Sequence, residues 1–280
     1  MREVHVDAIA SAISEMCQSA GVALTDDMLQ ALEKAYRDEQ SPLGRHAIRI
    51  LLDNARLATA TGVPYCQDCG VAIVFARVGQ DCHVVGGALS EAINEGVRRG
   101  FAAGYMRASM LQSPLDRRNT GDNTPAVIHY DVVPGDRLEL AITLKGGGSE
   151  NMSRQAMLKP ADGVEGVKRF VVETVANAGP NACPHLVPGI GLGGTFDKST
   201  YLAKKAIMRP IGEFNPDPAI AELEKELLVL CNETGVGPQG LGGMVTCLWT
   251  PIEVYPCHVT ALPVAVNIQC HANRRREVIL

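Results

Sequence analysis

The spacing of apolar residues predicts three helices in the first fifth of the chain. Between residues 7 and 37, apolar side chains recur three and four positions apart, as on one face of a helix. Gly21 interrupts the pattern and Thr25-Asp26-Asp27 has the composition of a helix N-cap, so two helices are expected there. Ser41-Pro42 begins a third helix, which Gly62 ends. Residues of about 1–60 are therefore expected to form a helical segment packed on the remainder.

Beyond residue 62, helical and alternating patterns are mixed. The pattern predicts four helices. Two cover 90–111 and 164–178, a third begins at about residue 198, and the fourth begins at residue 218 and ends before residue 235. The pattern also predicts strands over 71–75, 126–133 and 137–144, and two more within 244–269. Because no repeat or linker divides the chain, we expect an α+β fold, with residues 1–280 forming a single mixed domain of several helices around β-sheet. The pattern does not say which strands pair.

Composition narrows the class of protein. The chain has 280 residues, 46% of them hydrophobic and 20% charged, and a net charge of −5. These values exclude a disordered chain, and no apolar run reaches the ~18 residues of a membrane span. The N-terminus is too charged for a signal peptide, so a cytoplasmic protein is expected. Mild acidity and 4% aromatic residues argue against nucleic-acid binding. The one basic cluster, Arg274-Arg275-Arg276, is interpreted as a solvated end or an interface contact.

The nine cysteines offer several kinds of chemistry. Their odd number and wide spread do not indicate a disulfide framework. The pair Cys66 and Cys69 has C-x2-C spacing, which suits zinc, a redox dithiol or an iron–sulfur cluster, although the intervening Gln67-Asp68 disfavours a dithiol oxidant. Cys183 precedes a proline, as iron–sulfur ligands can, and Cys270 lies where an apolar run turns polar. For each of them, a thiol that only packs is the alternative, and spacing alone does not bring them together.

Two glycine-rich stretches are candidate binding loops. Gly189–Gly194 satisfies G-x-G-x-x-G, but two prolines precede it, which disfavours the central strand of a dinucleotide-binding unit. A glycine turn that lets backbone approach an anion or a cluster is the preferred interpretation. Gly146, Gly147 and Gly148 follow a predicted strand and supply backbone N–H groups suited to a carboxylate or a sulfide. Asp68 and His258 are candidate proton-transfer groups, although isolated residues of these types are more often structural.

Several motifs in a fixed order resemble one family. They are Cys66-Gln67-Asp68-Cys69-Gly70, Lys145-Gly146-Gly147-Gly148-Ser149-Glu150-Asn151, Asn181-Ala182-Cys183-Pro184, Gly191-Leu192-Gly193-Gly194-Thr195, Arg209-Pro210-Ile211-Gly212, Gly237-Pro238-Gln239-Gly240-Leu241-Gly242-Gly243 and Leu262-Pro263-Val264-Ala265-Val266-Asn267. Together they resemble the α subunit of the iron–sulfur class I fumarate hydratases and their L-tartrate dehydratase relatives. The resemblance covers nearly the whole chain and implies the α+β fold of the N-terminal part of class I fumarases.

The resemblance implies a [4Fe–4S] cluster held by Cys66, Cys183 and Cys270. Three thiolates for four irons leave one iron not bound by cysteine, and an open metal site can act as a Lewis acid. Such an iron would bind the substrate's carboxylate and hydroxyl, with no electron transfer.

The resemblance also implies substrate-binding residues. Gln67 and Asp68 match residues that contact substrate, Asp68 being the expected proton-transfer group. Arg107 matches an arginine suited to a bidentate pair with a substrate carboxylate. The backbone of Gly146–Gly148 would hold carboxylate oxygens. His258 lies twelve positions before Cys270 (270 − 258 = 12) and is expected to serve in the site.

Two departures from the family shape the functional hypothesis. Cys69 stands where relatives usually carry threonine, and its role stays open. The family's C-terminal part is missing, which implies a separate β subunit and an α/β hetero-oligomer.

Three functions are compatible with these features. The expected one is a fumarate hydratase α subunit that interconverts fumarate and L-malate, as in the tricarboxylic acid cycle, because the Gly-Gly-Gly-Ser-Glu-Asn motif looks closer to fumarase. The alternative is the α subunit of a dehydratase for L-tartrate or another hydroxy-dicarboxylate. A third hypothesis is a non-catalytic nucleotide-binding module, in which the cysteines merely pack.

Overall fold

The computed structural model describes residues 2–280, and it confirms an α+β fold. The helices are α1 (Val6–Val22), α2 (Asp26–Asp38), α3 (Pro42–Thr61), α4 (Leu89–Ala103), α5 (Gly147–Glu150), α6 (Gly163–Ala178), α7 (Phe196–Ala206) and α8 (Pro218–Asn232). The strands are β1 (Arg2–His5), β2 (Val71–Gly79), β3 (Cys82–Val85), β4 (Val127–Val133), β5 (Leu138–Lys145), β6 (Arg154–Leu158), β7 (Val187–Gly193), β8 (Ile252–Tyr255), β9 (Leu262–Gln269) and β10 (Arg275–Ile279).

The chain forms two compact units, each assembled from separated segments. The first unit comprises the segment ending at Thr25, Asn54–Gly147 and Arg274–Leu280. The second unit comprises Asp26–Asp53 and Gly148–Asn273. That residues 1–280 act as one domain stays a prediction.

The first unit is built on a four-stranded sheet in the order β10-β5-β2-β4. Strand β2 is antiparallel to β5 and parallel to β4. The turn at Pro134–Asp136 therefore does not close a hairpin, because β2 lies between the two strands that the turn joins. Alternate residues of β2 and β5 enter an apolar core with the buried faces of α1 and α4. Strands β1 and β3 form a separate parallel pair.

The second unit contains a four-stranded sheet in the order β6-β9-β7-β8. Strand β7 is antiparallel to β9 and parallel to β8. Ile190 and Leu192 of β7 belong to the same apolar core as α6 and α8. Gly189 and Gly191 point to the opposite face, because successive residues of a strand alternate, and α7 packs there.

The glycine-rich stretch is this strand, so the prediction of a glycine turn was wrong. A Cβ built on Gly189 would lie 2.3 Å from the carbonyl oxygen of Ala203, and one on Gly191 would lie 2.1 Å from that of Ser199. The glycines allow the backbone of α7 to approach β7, and the approaching group is a helix rather than an anion. Pro188 is tolerated because β8 pairs with β7 only from Ile190 onward.

Three further expectations need correction. The helix predicted over 90–111 ends at Ala103, because the chain turns at Tyr105, whose φ is +51°. Strands β1, β3, β6, β7 and β10 were not predicted. The basic cluster is not a solvated end: Arg274 and Arg275 are buried, and Arg275 begins β10. No helix within residues 2–280 is both long and apolar enough to cross a lipid bilayer.

Candidate functional site

In the first unit, Asp68 joins two loops at one end of the sheet. Val71 of β2 pairs with Lys145 of β5, so the loop that enters β2 and the loop that leaves β5 meet at this end. The Asp68 carboxylate accepts the N–H of Gly70 at 3.0 Å and that of Gly147 at 2.7 Å. The structure thereby brings together Asp68, Gly146 and Gly147, three residues that the sequence predicted for the site.

Two buried cationic side chains at this end were missed by the sequence reasoning. Arg274 is 1% exposed, and its Nη2 donates to the carbonyl oxygens of Asp68 at 2.9 Å and Leu144 at 3.1 Å. Lys145, 2% exposed, donates from Nζ to the carbonyl oxygen of Gly146 at 3.3 Å. The available signal for Lys145 was its position, because it ends an apolar strand and three glycines follow it. The sequence marked Arg274 only as part of a basic cluster and gave no sign that it is buried.

Cys69 connects the same loop with Arg107. Its buried sulfur accepts the backbone N–H of Arg107 at 3.2 Å, and it lies 3.6 Å from the carbonyl oxygen of Cys66. This places Arg107 at the predicted site through its backbone, while its side chain is exposed. Gln67 is exposed as well, with Oε1 3.5 Å from the half-buried Cys66 sulfur. These contacts give Cys69 a packing role in this loop.

In the second unit, Cys183 and Cys270 lie at one end of the sheet. Val187, which begins β7, pairs with Gln269, which ends β9. Cys183 lies four residues before Val187 in the chain, and Cys270 directly follows Gln269. Nδ1 of His271 lies 3.0 Å from the carbonyl oxygen of Cys183, so the chain segments that carry the two thiols are in contact.

His258 lies at the opposite end of that sheet. It precedes β9, whereas Cys270 follows β9, and eight strand residues span about 26 Å. Its side chain is exposed, and Nδ1 lies 2.8 Å from Oγ1 of Thr260. Within the second unit, the structure does not bring His258 to the two cysteines, although the resemblance implied a role for His258 in the site.

The environment of the nine cysteines separates them into groups. Cys66, Cys82 and Cys270 are half-buried and Cys183 and Cys257 are exposed, whereas Cys17, Cys69, Cys231 and Cys247 are buried. Burial raises the pKa of Cys17 to about 12, and burial beside Cys231 raises that of Cys247 well above the ordinary range. Iron binds the thiolate form, so such thiols are unsuitable ligands.

The predicted donor set fits an iron–sulfur cluster in its chemistry. Cys66, Cys183 and Cys270 are thiols with some access to solvent, and each lies in a segment beside a strand end. None of the nine cysteines, all within residues 2–280, forms a disulfide. Over the same residues, no set of three or more His, Cys, Asp or Glu side chains is grouped as for a single metal ion.

His185 is a buried neighbour of Cys183 that the sequence analysis did not select. Burial, and to a smaller extent the nearby His271, lowers the pKa of His185 to about 4. His185 is therefore neutral at physiological pH.

A buried glutamate secures the loop after α8 in the second unit. The Glu39 carboxylate accepts the backbone N–H groups of Gln40, Ser41, Met244 and Val245 at distances of 2.9–3.1 Å. Burial acts to raise the pKa of Glu39, but these donors outweigh it and lower that pKa overall. Glu39 thus ties the start of α3 to residues 244–245.

We expect Glu39→Gln to destabilise the protein by about 2 kcal/mol at pH 7, because the amide NH2 group would face backbone N–H groups. Ionised Glu39 stabilises the folded wild-type protein fully above its pKa in the unfolded chain, about 4.3. This stabilisation is lost as the pH falls through the lower pKa that Glu39 has in the folded protein. The difference between the two proteins should therefore shrink in acid. Urea unfolding at pH 7 and pH 3 measures this, with the exposed Glu233→Gln as control. Equal stability of Glu39→Gln and wild type at pH 7 would contradict the assignment.

Comparison with known proteins agrees with the motif order. Residues 10–279 match the family model described as fumarate hydratase (Fumerase). The chain is 43% identical over 275 residues to a Methanocaldococcus jannaschii protein provisionally named L(+)-tartrate dehydratase subunit alpha, with 95% of each chain covered. It is 30% identical over 283 residues to the L(+)-tartrate dehydratase subunit alpha of Escherichia coli K12, which covers 100% of this chain and 93% of the relative.

Proposed function

The chain belongs to the fumarate hydratase (Fumerase) family of hydro-lyases, and from this premise we propose that it is the α subunit of a heteromeric dehydratase acting on L-tartrate or a closely related hydroxy-dicarboxylate. The observation that carries the proposal is the near full-length likeness to subunits named for L-tartrate. It favours tartrate over fumarate, the substrate first expected. Fumarate hydration is the second candidate, supported by the Gly146–Asn151 motif.

Cys66, Cys183 and Cys270 are the residues proposed to hold a [4Fe–4S] cluster in which one iron has no cysteine ligand. When bound, such a cluster supplies Lewis-acid chemistry at a substrate hydroxyl and carboxylate.

Asp68 is proposed as the proton-transfer group beside the substrate hydroxyl. The N–H groups of Gly70 and Gly147 fix the orientation of its carboxylate. Each carboxylate oxygen retains a further lone pair, so these bonds do not prevent proton transfer. Asp68 thus needs no rearrangement to present an oxygen to substrate.

Substrate carboxylates are assigned to Arg107, Gln67 and the glycine loop. The guanidinium of Arg107 is exposed and suited to bidentate pairing, while its backbone is tied to Cys69. The N–H of Gly147 is engaged by Asp68, and the backbone of the Gly146–Gly148 loop is proposed to hold carboxylate oxygens. A role for His258 stays a prediction that its position in the second unit does not support.

A β subunit is proposed to complete the site. The relatives carry the name subunit alpha, which implies that a second kind of subunit accompanies them.

The test is a substrate panel with the chain and its β subunit, coexpressed and purified without air. We expect dehydration of L-tartrate with a kcat/KM at least about tenfold above that for L-malate, a discrimination of about 1.4 kcal/mol. Iron and sulfide content are measured on the same sample. Faster turnover of L-malate or fumarate would favour the second candidate. A protein with a full complement of iron that acts on none of these acids would refute both.

A further inference from the structure

One glutamine of the second unit contacts the chain beside both of that unit's proposed ligands. The backbone N–H of Gln239 donates to the carbonyl oxygen of Pro184 at 2.8 Å, and its side-chain Nε2 donates to the same oxygen. Nε2 also lies 3.2 Å from Nδ1 of His271. Pro184 directly follows Cys183, and His271 directly follows Cys270.

The two cysteine segments also contact each other. Nδ1 of His271 lies 3.0 Å from the carbonyl oxygen of Cys183, to which it can donate when it carries the proton. In that tautomer Nδ1 cannot accept from Nε2 of Gln239, which donates to Pro184 alone. In the other tautomer Nδ1 accepts from Nε2 of Gln239, whose NH2 group then bridges Pro184 and His271. The contacts of Gln239 and His271 therefore fix the backbone next to each thiol.

Gln239 is itself held firmly in an uncommon conformation. Its φ of +53° lies in the left-handed region, which non-glycine residues seldom adopt unless their surroundings impose it. A Cβ built on the next residue, Gly240, would lie 2.4 Å from Cβ of Pro180, so the loop packs against the residues before Cys183. Glu39 fastens the far side of the loop at Met244 and Val245.

Cys183 needs such support from outside its own segment. It is exposed, has a φ of +53°, and lies between a short 3-10 turn and the start of β7. No helix or strand includes it, so its position depends on contacts made by neighbouring loops.

We propose that Gln239 is a positioning residue, which clamps the segments of Cys183 and Cys270 together so that the two thiols are held ready for a shared ligand. The identity of that ligand, an iron–sulfur cluster, rests on the proposed function, whereas the clamp rests on the contacts above. A preorganised pair binds more tightly, because less chain entropy is lost when the ligand arrives.

The first test is hydrogen exchange in the cluster-free full chain. The variants are Gln239→Leu and Gln239→Glu, which both remove the side-chain donor, and the control is Gln30→Leu at an exposed position of α2. The amides of Cys183 and Leu186, bonded to Pro180 and Thr246, report on the segment. We expect them to exchange about tenfold faster in both variants, the effect of one lost hydrogen bond, with no change in α6. Unchanged exchange at these amides would overturn the clamp. So would equally faster exchange throughout α6, which would reveal a general loss of stability.

The second test is anaerobic reconstitution with iron and sulfide, read by metal analysis and visible absorption. We expect the wild type and Gln30→Leu to acquire both elements and the Gln239 variants to bind them about tenfold more weakly. Equal uptake by wild type and variants would overturn the role of the clamp in ligand binding. A wild-type chain that takes up neither element would count against the proposed function, and the exchange rates would still decide whether Gln239 holds the segment.

Discussion

Serine at Cys66, Cys183 or Cys270 is expected to deprive the protein of iron and sulfide and to abolish its dehydratase activity. A serine hydroxyl is a poor substitute for a thiolate, which soft iron–sulfur centres require. With only three cysteine ligands proposed, each single loss leaves two. We expect at least a hundredfold fall in activity for each variant, and loss of the visible absorption of the cluster, measured after anaerobic purification.

Cys257→Ser is the matched control for this set. Cys257 is exposed and lies in the loop between β8 and β9, away from the sheet end that carries Cys183 and Cys270. Serine at Cys17, Cys231 or Cys247 would be a poorer control, because all three thiols are buried. A buried serine hydroxyl would cost about 1–3 kcal/mol, so alanine is the better replacement there. Loss of the cluster in Cys257→Ser, together with its retention in the Cys183 and Cys270 variants, would refute the ligand assignment.

Gly191→Ala is expected to prevent normal folding of the second unit, with a loss of stability of about 3 kcal/mol or more. The new Cβ would lie 2.1 Å from the carbonyl oxygen of Ser199 and 2.6 Å from the backbone nitrogen of Ala203. Both are backbone atoms of α7, so no side-chain rotation relieves the clash and the helix must move. Urea unfolding followed by circular dichroism, together with the yield of soluble protein, measures the effect.

Gly87→Ala provides the comparison. A Cβ built on Gly87 would have its nearest contact at 3.6 Å, with a side-chain atom of Val6, and we expect a change within about 0.5 kcal/mol. If Gly191→Ala were as stable as Gly87→Ala, α7 would not need the glycine.

Local sequence was sufficient to predict most of the helices. Helices α1 and α2, separated near Gly21 and Thr25, and α3, which begins at Pro42, were expected close to their observed bounds. Their apolar spacing and their caps act within one or two turns, so no distant contact is needed to specify them. The motifs likewise identified Asp68 and the glycines after β5 as neighbours in function, and the structure brings Asp68 and Gly147 into contact.

Pairing across long separations could not be predicted in the same way. In the sheet, β2 lies between β4 and β5. The alternation of apolar and polar residues shows that each strand has an apolar face, but it does not show which strands lie next to each other. Arg274 reads as a surface arginine in the sequence, yet it is buried against the carbonyl oxygens of Asp68 and Leu144. A backbone carbonyl can accept from any arginine, so no residue pattern marks the partner in advance.

The sequence by itself therefore determined the helices, the class of fold and the residues able to carry chemistry, because these depend on side-chain type and on neighbours a few positions away. Only the tertiary structure decided that Gly189 and Gly191 make room for a helix, that Cys183 and Cys270 lie at one end of a sheet, and that His258 lies at the other. These outcomes depend on strand register and close packing between segments far apart in the chain, which composition and spacing do not encode locally.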